Sequence, residues 1–116
     1  MPLRGNVQTR LAKLEAKEAD ATLLAAAGLE RLEMHDTGHA VETDEMLPAA
    51  SQGAIGIDRL SSYADLQPVL DAIDDPATLK AVTAERAFLA ALGGTCHSPV
   101  AALASVDGGT ILLKGQ

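Results

Sequence analysis

Cys96 is the single cysteine of this 116-residue chain and lies in the run Gly93-Gly94-Thr95-Cys96-His97-Ser98-Pro99. One cysteine can form neither an internal disulfide nor a cysteine-pair metal site, so a chemical role for the thiol would be covalent. The alternative is a buried thiol that packs as a small apolar side chain, which is common for a free cysteine. The helix end predicted just before the run disfavours a thiolate, so activation would need cations from elsewhere in the chain.

Four of the arginines lie near predicted element ends and are the other candidate functional side chains: Arg4, Arg10, Arg31 and Arg59. A planar guanidinium can bind a carboxylate through two parallel hydrogen bonds, and helix N-termini add amide donors. Arginines beside glycine turns in an acidic protein could therefore form a pocket for small carboxylates. Ordinary surface ion pairs with the many aspartates and glutamates are the alternative, and spacing alone favours that alternative.

The histidines suggest two further sites, and neither is favoured. His35 and His39 are four residues apart and could bind a metal from one helix face, but this stretch has no apolar helical stripe and no third ligand at a fixed spacing. A surface loop is the favoured interpretation there. His97 could pair with the neighbouring thiolate of Cys96, although adjacent side chains often point apart.

Three more polar residues interrupt or border apolar stretches. Glu85 and Arg86 break the apolar pattern of a predicted helix, which indicates a structural pair packed against a neighbouring element. Gln52 lies between Ser51 and Gly53 and could contact either a substrate or the backbone at a hinge.

Composition narrows the classes of partner. The net charge is −7, and Tyr63 and Phe88 are the only aromatic residues, so neither phosphate binding nor base stacking is favoured and no nucleic-acid partner is expected. No apolar run approaches the roughly 20 residues of a membrane span, and no signal segment opens the chain. We therefore expect a cytoplasmic protein without a membrane partner.

The first half of the chain predicts helices alternating with strands. Arg4 and Gly5 suggest a strand end turning into a helix that Asn6 caps and that runs to Glu18. The apolar run 21–27 fits either a buried strand or a helix, and a helical turn follows to Met34. The stretch 35–45 predicts a loop, and 46–57, rich in small residues, predicts a strand.

The second half predicts two helices and a hairpin. One helix is expected over 65–73, and a second begins after the cap Asp75 and ends near Leu92 at a left-handed glycine. Two strands, over 100–106 and 110–113, should flank the turn Asp107-Gly108-Gly109. The fold class expected is α/β, becoming α+β towards the C-terminus.

Four segments, in this order along the chain, carry a resemblance to a known family: Leu3–Leu11, Leu24–Leu32, Met46–Ile57 and Val82–Leu89. The first resembles the arginine-bearing strand–helix turn of the hydroxymethylbilane synthase family, also called porphobilinogen deaminases. The second resembles the strand and helix that follow, and the third resembles the inter-domain crossing. The fourth resembles the helix before the cofactor cysteine, which would be Cys96.

The resemblance implies a transferase of tetrapyrrole (haem) biosynthesis that polymerises four porphobilinogen molecules and releases ammonia at each step. A dipyrromethane cofactor, attached to Cys96 through a thioether, would act as primer. Arg10 would bind carboxylates of both cofactor and substrate, and Arg4 and Arg31 would bind those of the substrate.

The implied architecture is part of a periplasmic-binding-protein-like domain followed by the start of a small cysteine-bearing domain. Residues 1–52 would be the later part of the second domain, 53–75 the crossing segment, and 76–116 the start of the third domain. Ligand would lie in an inter-domain cleft.

Several departures from the family pattern stand beside this resemblance. Ser51 replaces a usual glycine, Gly93-Gly94-Thr95 replaces a frequent Glu-Gly-Gly, and His97-Ser98-Pro99 replaces a frequent Gln-Val-Pro. The family's Ile-Glu-Cys-Arg is shortened to Ile57-Asp58-Arg59, and no aspartate matches the catalytic one. If these 116 residues were the whole protein, we would expect no full reaction. The alternative is a non-catalytic, self-associating interaction module.

Overall fold

The computed structural model describes residues 3–95 and 97–116, which fall into two compact units, Met1–Val41 and Glu42–Gln116. The predicted class, a mixture of helix and sheet, is confirmed. None of the helices in these ranges is long and apolar enough to cross a membrane. The helices are α1 (Val7–Glu15), α2 (Ala26–Arg31), α3 (Gln67–Ile73) and α4 (Pro76–Ala91), and the strands are β1 (Ala102–Asp107) and β2 (Thr110–Gly115).

Local capping determines where the first-unit helices begin and end. Asn6 caps α1 as predicted, because its side chain accepts a hydrogen bond from Thr9 N at 2.9 Å. The helix ends at Glu15, earlier than predicted, because Lys17 adopts a left-handed conformation with φ of 57° and closes the C-terminal turn. The ambiguous apolar run contributes to α2 from Ala26 onward. No strand forms at 21–25, so the helical alternative holds for the end of that run, and the strand end predicted at Arg4 and Gly5 is wrong for the described residues before Asn6.

Both ends of α4 follow the sequence signals. The Asp75 side chain accepts hydrogen bonds from the backbone amides of Ala77 and Thr78, and Pro76 occupies the first turn. At the other end Gly93 has a φ of 67°, and Gly94 N donates to Leu89 O at 2.9 Å. This hydrogen bond and the positive φ of Gly93 form the left-handed glycine cap that was predicted. Helix α3, preceded by a 3₁₀ turn at Ala64–Leu66, confirms the predicted helix over 65–73.

The cap at Asp75 gives a pH prediction. The amides of Thr78 and Ala77 lower the pKa of Asp75 below its ordinary value of 3.8, because they stabilise the carboxylate. The unfolded chain lacks these bonds, so the stabilisation is complete above the unfolded pKa and is lost as pH falls through the folded one. Asp75→Asn keeps an acceptor oxygen but cannot titrate. Urea unfolding followed by circular dichroism, repeated at several acid pH values, should show that the free energy of unfolding falls less steeply with decreasing pH in this variant than in the wild type. The same pH dependence in both proteins would contradict the role of the cap.

A hairpin of β1 and β2 packs against α4 in the second unit. The strands pair antiparallel with Asp107 opposite Thr110, and Gly108 and Gly109 both have positive φ, as a tight two-residue turn requires. Ala102 and Ala104 form the buried core of the sheet. A Cβ on Gly115 would collide with the ring of Phe88, so helix and hairpin approach closely at that point. The predicted hairpin is confirmed.

The strand predicted over 46–57 is wrong. Only Ala49 forms a bridge, to Ala101, and the chain then turns at residues 50–53 with Ser51 at a φ of 65°. Small residues and glycines supply no alternating apolar face, so this segment pairs at one point only. The stretch 35–45 forms no helix or strand and agrees with the predicted loop.

Candidate functional site

Two backbone carbonyls before α1, those of Arg4 and Gly5, accept hydrogen bonds from cationic side chains of that helix. Arg10 Nε donates to Gly5 O at 3.0 Å, and Lys13 Nζ donates to Arg4 O at 3.3 Å. The side chains of Arg10 and Lys13 thus both bind the backbone at residues 4–5. Lys13 was not among the predicted site residues, although its position three residues after Arg10 on a helix places both on one face.

Gly5 permits this turn for two reasons. Its φ of 126° is a conformation that residues with a side chain rarely adopt. A Cβ there would also lie 2.7 Å from Thr9 Cγ2 and 2.8 Å from Thr9 Cβ. Thr9 cannot move away freely, because its backbone N and its hydroxyl both donate to Asn6 Oδ1. The glycine therefore fixes the carbonyl that holds Arg10.

Arg10 also lines a pocket of about 370 Å³ in the first unit. Leu3, Ala21, Thr22 and Leu23 form the rest of the wall. Within residues 3–95 and 97–116, the two terminal guanidinium nitrogens of Arg10 have no hydrogen-bond acceptor, since only Nε is used. The pocket is open to solvent and has both polar and apolar lining, with Arg10, a half-buried residue, as its one charged group among the described residues.

The other two candidate arginines differ from Arg10. Arg31 lies exposed in the last turn of α2 and is not among the residues that line this pocket. Arg59 binds its own loop and the start of α3, so its guanidinium is used structurally, in agreement with the alternative that spacing alone favoured. The acceptors of Arg59 are Leu60 O at 3.2 Å, Ser61 O at 3.4 Å, Tyr63 O at 3.3 Å and Gln67 Oε1 at 2.7 Å.

Cys96 lies outside the described residues, so its proposed role stays a prediction. The residues on either side of it are joined to each other. Thr95 N donates to Ser98 Oγ at 2.8 Å, and Ser98 N donates to Thr95 O at 2.9 Å. The amide of His97 donates to Thr95 Oγ1 at 3.3 Å. Thr95 and Ser98, two of the residues noted above as departures, therefore bind each other within one turn.

Glu85 and Arg86 act structurally, as predicted, and both bind the same residue. Glu85 is buried and accepts a hydrogen bond from Ser51 N at 2.6 Å, while Arg86 Nε donates to Ser51 Oγ at 3.1 Å. Gln52, beside them, is exposed, and its backbone N donates to Ala49 O.

The histidines His35 and His39 lie exposed on the loop of the first unit. In the described part of the chain, no group of three or more histidine, cysteine, aspartate or glutamate side chains is placed to hold a metal ion.

Comparison with known families gives two matches that together cover most of the chain. Residues 1–67 match the family described as "Porphobilinogen deaminase, dipyromethane cofactor binding domain". Residues 79–116 match "Porphobilinogen deaminase, C-terminal domain".

Curated relatives agree with these matches. A porphobilinogen deaminase of Sphingopyxis alaskensis is 66% identical over 102 residues, which cover 88% of this chain and 32% of the relative. That of Paracoccus denitrificans is 54% identical over 114 residues, which cover 97% of this chain and 36% of the relative. That of Roseiflexus castenholzii is 47% identical over 117 residues, which cover 100% of this chain and 39% of the relative. The chain spans between 32% and 39% of the length of these relatives.

Proposed function

We propose, because this chain belongs to the porphobilinogen deaminase family, that it supplies carboxylate-binding arginines and the cofactor cysteine of a hydroxymethylbilane synthase. Such an enzyme joins four porphobilinogen molecules into a linear tetrapyrrole and releases ammonia at each step, in cytoplasmic haem biosynthesis. The observation that carries the proposal is Arg10, which lines a pocket with Leu3, Thr22 and Leu23 and whose terminal nitrogens have no acceptor among the described residues.

The residues of the first unit fit the dipyrromethane cofactor. Each pyrrole ring carries an acetate and a propionate, so a polyanion must be held by several cations. Arg10 and Lys13 supply two cations that bind the backbone at residues 4–5, Arg4 adds a third in the sequence, and Leu3 and Leu23 supply apolar surface for the rings. In this proposal Arg10 binds cofactor and substrate carboxylates, and Arg4 and Arg31 bind those of the substrate.

Cys96 would carry the covalent attachment. Its Sγ forms a bond to the aminomethyl carbon of porphobilinogen, the carbon–nitrogen bond of that group breaks, and the amine leaves as ammonia with the thiol proton. When bound, the dipyrromethane supplies the primer to which further units are added. The cap at Gly93 and the Thr95–Ser98 turn support the proposal, since they fix the backbone on both sides of this residue.

The remaining assignments follow the family. Residues 1–52 would be the later second domain, 53–75 the crossing and 76–116 the start of the third domain. None of the aspartates matches the family's catalytic aspartate. We therefore expect the 116-residue polypeptide, assayed alone, to bind porphobilinogen and carry its adduct without completing the tetrapyrrole.

Arg10 gives the direct test of carboxylate binding. Arg10→Gln should weaken porphobilinogen binding about ten- to a hundredfold, because a charge-assisted hydrogen bond contributes about 1.5–3 kcal/mol. Isothermal titration calorimetry would measure the change. Arg59→Gln is the matched control, since that guanidinium is occupied by its own loop, and it should bind nearly as the wild type does. Equal loss in both variants, or no binding by the wild-type chain, would contradict the proposal.

A self-associating interaction module is the second candidate function. Within the described residues β2 pairs only with β1, and its side chains Ile111, Leu112 and Leu113 are exposed. A free, mostly apolar strand edge is a template for pairing with another chain. Sedimentation velocity over a range of concentrations would test this candidate, and a single monomeric species throughout would exclude it.

A further inference from the structure

Glu85 is the one buried charged residue in the described part of the chain, and both of its carboxylate oxygens bind backbone amides. Oε2 accepts from Ser51 N at 2.6 Å, and Oε1 accepts from Ala104 N at 2.8 Å. A buried carboxylate is costly unless it is hydrogen-bonded, and two amides satisfy this one. The side chain therefore joins three parts of the second unit: helix α4, strand β1 and the segment 48–52.

The segment 48–52 is also attached to the start of β1. Ala102 N donates to Pro48 O at 3.0 Å, and Ala49 forms its bridge with Ala101. The chain reaches Ala101 through Val100 after the cysteine-bearing loop, residues 93–99, which itself follows the C-terminus of α4. The contacts of Glu85 and of this segment thus meet where the loop enters the sheet.

We propose that Glu85 is a positioning residue for the cysteine-bearing loop, because its carboxylate holds segment 48–52 against α4 and β1 at the point where that loop enters the sheet. The inference rests on the proposed role of Cys96 as the cofactor attachment residue. Glu85 acts through backbone hydrogen bonds, and the reacting atoms of cofactor attachment lie on Cys96.

Glu85→Gln is the informative variant. Its amide oxygen can accept from one of the two backbone amides, while its NH₂ group faces the other amide, so one of the two attachments is lost with little change in volume. The matched control is Arg86→Gln, which removes only the contact to Ser51 Oγ.

Hydrogen exchange measured residue by residue by NMR on the full chain tests the coupling. In Glu85→Gln, the exchange rate of the Ser51 or the Ala104 amide should rise at least about tenfold, as expected for the loss of a hydrogen bond to a charged group. The exchange rates of the Ser98 and Val100 amides should rise as well. The amide of Leu79, at the far end of α4, should be unchanged. Equal acceleration of exchange at all of these amides would show a purely stabilising role and overturn the proposal. Unchanged exchange rates at Ser98 and Val100 would overturn it too.

A second measurement connects the coupling to function. After porphobilinogen is added, intact mass spectrometry gives the rate at which Cys96 acquires its adduct, and this rate should fall at least about tenfold in Glu85→Gln, in line with the lost hydrogen bond. The Arg86→Gln control should react as the wild type does. An unaltered rate in Glu85→Gln would overturn the positioning role. If the wild type acquires no adduct, the proposed function fails, and the exchange pattern still decides whether Glu85 positions the loop.

Discussion

Replacing Glu85 with alanine is expected to lower the free energy of unfolding of the second unit by about 2 to 4 kcal/mol, since a buried amide left without its acceptor costs about 1–3 kcal/mol and a partly buried one costs less. The two amides are those of Ser51 and Ala104, at 2.6 Å and 2.8 Å from the carboxylate oxygens. Ser51 would also lose the contact that holds its left-handed backbone at a φ of 65°. Urea unfolding followed by circular dichroism measures the loss.

Arg86→Ala is the control for this prediction. Arg86 is the next residue on α4 and is exposed, and its hydrogen bond to Ser51 Oγ is a surface contact. Its removal should cost less than about 1 kcal/mol. A Glu85→Ala protein as stable as Arg86→Ala would contradict the structural role assigned to the carboxylate.

Replacing Gly5 with alanine is the second change with a large expected effect, here in the first unit. The φ of 126° is unfavourable for alanine, and the added Cβ would meet Thr9 at 2.7 Å. The turn must therefore shift, and we expect this shift to lower the free energy of unfolding by about 1–3 kcal/mol. It should also weaken the hydrogen bond from Arg10 Nε to Gly5 O. Porphobilinogen binding should fall together with stability.

Gly38→Ala separates the two causes of that loss. Gly38 also has a positive φ, of 78°, but nothing lies within 4 Å of the position its Cβ would take, and it belongs to the same unit. This variant should show the cost of backbone strain alone and bind porphobilinogen as the wild type does. If both variants lost stability equally and bound equally well, the contact with Thr9 would have no role in placing Arg10.

Features fixed by neighbours in sequence were predictable. The caps at Asn6, Asp75 and Gly93 and the turn at Gly108-Gly109 all formed where the sequence indicated, because each depends on a side chain or a φ preference within a few residues. Their energies are local, so one sequence is sufficient to locate them.

Features fixed by distant partners were not predictable in detail. The interruption of α4 by Glu85 indicated a structural residue, but its partners are amides 34 and 19 residues away. The small-residue segment after Met46 suggested a strand, yet strand formation depends on pairing along its length, and it pairs only at Ala49. Arg59, like Arg10, lies near a predicted element end, and only the folded loop shows that its guanidinium is occupied.

The most direct test of the central claim, that this chain carries the cofactor site of a porphobilinogen deaminase, is the intact mass of the protein after incubation with porphobilinogen. The wild-type chain should gain the mass of two porphobilinogen units less two ammonia molecules, and Cys96→Ser should gain nothing. A wild-type chain that stays unmodified, or a serine variant that acquires the same mass, would contradict the assignment of Cys96 as the attachment residue.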